Sequence, residues 1–140
     1  MGYTRVYIHF VWTTKNRQKL LKKDIRPKVF EHIKNNAKEK GIYIDQINGY
    51  SDHVHCLVGI NSDQQISNIA QLLKGESAHW INSMNLTNMK FKWQSDYYAV
   101  SVGIRQVNIV RNYIKNQERH HQRRSLDNEL YHLDKLYKFN

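Results

Sequence analysis

Residues Tyr3 to Thr14 alternate in polarity and direction. Val6, Ile8, Phe10 and Trp12 point one way, and Arg5, Tyr7, His9 and Val11 the other. A period of two is the mark of extended backbone, so the segment reads as a strand. The next apolar positions, Ile25, Val29, Phe30, Ile33 and Ala37, have helical spacing instead. Asp24 is the expected cap of that helix, Pro27 fits its first turn, and Gly41 stops it. Ile42 to Tyr50 and His53 to Ile60 read as a second and third strand around a Ser51-Asp52 turn. A second helix, with Asp63 as its expected cap, turns Ile66, Ile69, Ala70, Leu73, Trp80 and Ile81 inward. A fourth strand is expected around Tyr97 to Val102. From about Ile104 to about Arg123 the pattern is that of a basic helix. A last amphipathic helix uses Leu126, Leu130, Leu133 and Tyr137. The order βαββαβ implies an α+β, ferredoxin-like (RRM-like) antiparallel sheet with two helices on one face. The other face needs its own cover, and the helix from Ile104 can supply it.

A chain of 140 residues can bury one core, so a single domain is expected over 1–140. Its parts are a core over about 3–102, a basic helix over about 104–123 and a tail over about 125–140. The 22 Lys and Arg exceed the 12 Asp and Glu, for a net charge of +10. That balance makes nucleic acid the leading partner, against the plainer reading of a solvated basic surface. The single cysteine, Cys56, excludes an intramolecular disulfide and a Cys-based zinc site, and suits a reducing cytoplasm. No apolar run approaches the roughly 18 residues of a membrane helix, and no targeting segment is visible.

The sharpest chemical signal is Asp52-His53-Val54-His55-Cys56. On a strand, residues i and i+2 share a face, so His53 and His55 project side by side while Val54, Cys56 and Val58 enter the core. Two imidazoles so held can share a metal ion whose other ligands come from elsewhere. The plain alternative is two surface histidines. A histidine-triad hydrolase would need a third histidine at position 57, which is Leu, and no His-Glu-x-x-His zinc helix is present.

The second signal is the run Arg111-Asn112-Tyr113-Ile114-Lys115-Asn116-Gln117. On one helix Tyr113 and Gln117 are i and i+4, hence stacked on one face. Val107, Val110 and Ile114 form an adjoining apolar stripe that can dock on a sheet. A tyrosine beside an amide on a basic helix has the parts of a phosphate-attacking nucleophile. The bland reading is a half-buried tyrosine on an amphipathic helix. Lys15, Arg17, Lys74, Arg111, Lys115 and Arg119 are candidate DNA contacts on charge. His9 could support a site, touch DNA or only pack. His32 and His79 read as surface residues, His120 and His121 as residues that contact phosphate or simply end the helix, and Trp12, Trp80 and Trp93 as core.

Together these segments resemble the single-tyrosine HUH transposases of bacterial insertion sequences. The resemblance runs from about Tyr7 to Arg124. It rests on Ile8-His9-Phe10-Val11-Trp12 with Thr14-Lys15-Asn16-Arg17, on Asp52-His53-Val54-His55, on Leu73-Lys74-Gly75, on Trp93-Gln94, and on Tyr113-Ile114-Lys115-Asn116-Gln117. It implies that His53, His55 and Gln117 bind a divalent ion, Mg²⁺ or Mn²⁺, and that Tyr113 is the nucleophile. It further implies cleavage and rejoining of single-stranded or hairpin DNA through a 5′-phosphotyrosine, in a homodimer with shared active sites. A domesticated relative that processes genomic palindromes would use the same residues. A relaxase or replication initiator would share the chemistry, but this chain shows no helicase-like extension. A catalytically dead binding module would have no need of all four site residues.

Overall fold

The computed structural model describes residues 4–121, 126 and 128–130, with the side chains of 120 and 121 left out. The N-terminal alternating segment becomes β1 (Val6–Thr13). The hairpin is β2 (Tyr43–Gly49) and β3 (His53–Ile60), and β4 is Tyr98–Val102. The strands form one antiparallel sheet in the order β2-β3-β1-β4. Helices α1 (Arg26–Glu39) and α2 (Ile66–Ser83) follow β1 and β3. This is the α+β, ferredoxin-like arrangement expected from the order of elements.

The faces divide as the alternation requires. Ile8, Phe10 and Trp12 from β1 and Val54, Cys56 and Val58 from β3 pack with Val29, Phe30, Ile33, Ile69 and Leu73 of α1 and α2. Opposite them, Tyr7, Leu57 and Val102 meet Val107, Val110 and Ile114. Those three belong to α3 (Val107–Lys115), which covers the second face through its apolar stripe.

Both expected helix caps are displaced. The residue before α1 is Ile25, with no side-chain cap bond, so Asp24 lies outside the helix end. Gln65 precedes α2, and Asp63 sits in a turn where its N–H donates to Asn61 Oδ1. Asn and Asp hold such local bonds as readily as caps, and here the turn takes them. Gly41 ends α1 as expected, with φ of +74°, a left-handed value that suits glycine.

The expected continuous helix from Ile104 is divided. A 3₁₀ turn (Ile104–Gln106) leads into α3, Asn116 leaves helical geometry (φ −103°, ψ 26°), and α4 (Gln117–His121) begins anew. Side chains satisfy the carbonyls at the break. Asn116 Nδ2 donates to Asn112 O, and Asn48 Nδ2 on β2 donates to Lys115 O. Residues 126 and 128–130 are helical. Of the expected tail positions, Leu126 is buried and Leu130 half-buried, while Leu133 and Tyr137 lie outside the described residues, as do Arg123 and Arg124. Among the described residues, no helix is long and apolar enough to cross a membrane.

Candidate active site

The turn between β2 and β3 sets the histidine pair in place. Gly49 passes against the backbone of His53 so closely that a Cβ there would collide with the His53 carbonyl. Tyr50 N–H donates to that same carbonyl. His53 and His55 then project from β3 onto the face covered by α3, and both are fully buried. Their ring centroids are 5.2 Å apart. They are therefore not the half-exposed pair that the strand pattern alone allowed.

Each imidazole is oriented from behind. His53 Nδ1 lies 2.7 Å from Asp52 Oδ1, so this nitrogen donates to the carboxylate and Nε2 faces the site. His55 Nδ1 lies 2.8 Å from Nε2 of His9, which is itself fully buried on β1. Burial, with His55 second, pushes the His9 pKa well below its ordinary value, with Glu129 opposing. His9 therefore stays neutral and one of the two rings donates to the other. The sequence left the part played by His9 open; the structure seats it behind His55.

The second half of the site arrives on α3 and α4. Tyr113 is half-buried, its ring 5.8 Å from that of His55 in an edge-on arrangement. The break at Asn116 changes how Gln117 reaches the site. It is not stacked one turn along from Tyr113 on a single helix but opens α4, and its Oε1 lies 3.2 Å from His53 Nε2. Tyr113, Gln117, His53 and His55 of one chain are thus brought together on one face of its sheet.

One buried residue in the site was missed. Glu129, only 1% exposed, places Oε1 2.7 Å from His55 Nε2 and Oε2 3.6 Å from His53 Nε2. Its Oε1 also accepts from Gln117 Nε2 at 2.8 Å. The signal was legible in principle. At helical spacing, position 129 falls with Leu126 and Leu130 on the apolar side of the expected tail helix, where a carboxylate requires a partner.

This donor set suits a divalent cation. The Gln117 amide gives its nitrogen to Glu129, so its oxygen faces His53 Nε2. His53 gives its Nδ1 proton to Asp52, so Nε2 offers a lone pair in return. Two lone pairs face each other, and a cation between them, or a second proton, resolves the conflict. Ligand atoms of His53, His55 and Glu129 all lie within 4.8 Å of one another.

The candidate DNA contacts divide into two kinds. Lys15, Arg17, Lys115 and Arg119 are exposed. Lys74 and Arg111 are half-buried and hydrogen-bonded to other parts of the chain. Lys74 Nζ donates to Ser95 O and Asp96 O beside the Tyr97 ring, and burial lowers its pKa. Arg111 makes a two-pronged pair with the buried Asp45, at 2.8 and 2.6 Å. The register shift between Ile44 and Gln46 places Asp45 at an irregularity of β2, where it faces α3. His32 also departs from expectation: it is paired with Glu76 at 2.8 Å and stacked on Trp80 at 4.0 Å, both half-buried. His79 is exposed, while Trp12 and Trp93 lie in the core as expected.

A candidate transposase from Deinococcus radiodurans R1, known from a crystal structure, has 23% sequence identity and a TM-score of 0.66, covering 84% of this chain and 95% of its own. A REP-associated tyrosine transposase bound to a REP hairpin has 16% identity and a TM-score of 0.65, covering 86% of this chain and 72% of its own. At these identities the two share the fold. No curated protein matches the chain. A family model described as "Transposase IS200 like" matches residues 2–117, a span that holds β1, the histidine pair, Tyr113 and Gln117, and so the chain belongs to the IS200-like transposase family.

Proposed function

We propose that the chain is a metal-dependent transposase that cuts and rejoins single-stranded DNA at insertion-sequence ends through a 5′-phosphotyrosine intermediate. The carrying observation is the convergence of Tyr113, His53, His55 and Gln117 on one buried sheet face. His53 Nε2, His55 Nε2 and Gln117 Oε1 would hold Mg²⁺ or Mn²⁺. The ion supplies Lewis-acid polarisation of the scissile phosphate and neutralises charge that develops on it.

The remaining chemistry belongs to the chain. The Tyr113 oxygen loses its proton and attacks phosphorus. A P–O bond to tyrosine forms, the bond from phosphorus to the 3′ oxygen breaks, and that oxygen leaves as a 3′-OH after taking up a proton. One phosphate ester replaces another, so a later 3′-OH can attack the phosphotyrosine and rejoin strands without ATP. Asp52 and His9 hold the Nδ1 side of the two imidazoles, which leaves their Nε2 atoms directed at the place of the ion. The α3 stripe fixes the distance of Tyr113 from them. Exposed Lys15, Arg17, Lys115 and Arg119 would hold the DNA backbone. The hairpin carried by the REP-associated relative supports a folded single strand as the partner.

The test uses Tyr113→Phe, which keeps the ring packing and removes the nucleophilic oxygen. With hairpin DNA and Mn²⁺, the wild type should form an adduct that survives denaturation. Tyr113→Phe, or wild type in excess chelator, should form none while the variant still binds DNA. An adduct at wild-type yield from the Phe variant would refute the assignment.

A further inference from the structure

Glu129 lies twelve residues beyond Gln117, where the family match ends, yet it sits deeper than Tyr113. We propose that Glu129 is a fourth protein ligand of the divalent ion, so that the segment after α4 completes the metal centre. This rests on the metal reading above.

Three observations carry it. The first is reach: Glu129 Oε1 is 2.7 Å from His55 Nε2, and Oε2 is 3.6 Å from His53 Nε2. Two ligands at right angles on an ion, each about 2.1 Å from it, are about 3 Å apart, so these separations are those of neighbouring ligands. The second is orientation. Gln117 donates its amide nitrogen to Glu129 Oε1, which turns the Gln117 oxygen toward His53 Nε2. The carboxylate therefore also sets the amide of an expected ligand. The third is burial. A carboxylate 1% exposed needs a cation or strong donors around it, and its near neighbours include two imidazoles and an amide. In the metal-free chain a shared proton between His55 Nε2 and Glu129 Oε1 can satisfy the pair; a divalent ion replaces it with a stronger charge.

The chemical consequence is selectivity. Two imidazoles and an amide suit several transition ions, whereas an added carboxylate offers a hard, anionic oxygen that favours Mg²⁺ and Mn²⁺. Four protein ligands would still leave room on such an ion for a phosphate oxygen.

The experiment is a Mn²⁺ titration of the full DNA-free chain, read by calorimetry and by the paramagnetic resonance of free Mn²⁺. Wild type is compared with Glu129→Gln, Glu129→Ala and His53→Ala/His55→Ala, with Glu118→Ala, at an exposed position of α4, as control. Glu129→Gln keeps the shape and an oxygen but loses the charge, so it remains informative where the alanine variant misfolds. The expected result is a loss of at least tenfold for Gln and on the order of 100-fold for Ala, with Glu118→Ala unchanged. Affinity within twofold of wild type in both Glu129 variants overturns the inference and leaves the three-ligand reading standing. Tighter binding in Glu129→Ala also overturns it, by showing that the carboxylate competes with the ion's other ligands. No Mn²⁺ binding by wild type defeats the metal reading and this inference together.

Discussion

His9 offers a quantitative test of how the site is built. The perturbation is His9→Phe, which nearly preserves ring volume at a fully buried position and removes the nitrogen that meets His55 Nδ1 at 2.8 Å. To hold a metal through Nε2, neutral His55 must carry its proton on Nδ1, and His9 Nε2 accepts it. In the Phe variant that Nδ1–H is buried with no acceptor, at a cost of about 1–3 kcal/mol. The other tautomer, with its proton on Nε2 toward Glu129, leaves only a lone pair on Nδ1 and loses less. The penalty therefore falls mainly on the metal-binding form. At about 1.4 kcal/mol per tenfold, the loss in Mn²⁺ affinity should be roughly 5–150-fold, in line with the 10–100-fold usual for residues that orient metal ligands. The assay is a Mn²⁺ titration of the DNA-free chain, with a thermal melt to show that folding stays cooperative. His9→Gln, whose side-chain oxygen can reach the place of Nε2, should restore most of the affinity. A folded His9→Phe chain that binds Mn²⁺ within twofold of wild type would show that His9 only packs.

Ile114→Ala, at a fully buried position of the α3 stripe, should destabilise the chain by about 3 kcal/mol, within the 2–5 usual for such truncations, and lower Tm by about 10 °C. Ile109→Ala on the exposed side of the same helix should stay within about 0.5 kcal/mol in denaturant melts, and equal losses at the two sites would contradict the observed docking of α3. Because one chain brings Tyr113 to its own histidines, a mixture of Tyr113→Phe subunits with His53→Ala/His55→Ala subunits should remain inactive in adduct assays. Recovered cleavage in that mixture would instead demonstrate exchange of the tyrosine helix across a homodimer.

The strands and the order of elements could be read from the chain because they depend on local periodicity. The alternation in β1 and the His53–Ile60 strand needed only that a half-buried strand repeats every two residues. The same rule put His53 and His55 on one face and Val54 and Cys56 on the other, before any partner was known. The stripe of Val107, Val110 and Ile114 likewise identified which side of α3 docks. Tertiary structure decided what that periodicity does not carry. Asp24 and Asp63 have capping chemistry, but the surrounding turns placed them outside the helix ends. Charge alone marks Arg111 and Lys74 as candidate phosphate contacts, and only the fold shows that Asp45 and the carbonyls of Ser95 and Asp96 lie within their hydrogen-bond reach. At the break at Asn116, a side chain from β2, distant in sequence, donates to the last carbonyl of α3. Glu129 and His9 are the clearest cases. Each is a lone polar residue in an apolar pattern, and its partner, His55, lies far away along the chain. Local spacing states which face a side chain occupies, but what it meets there depends on contacts between distant segments, and those exist only once the chain has folded.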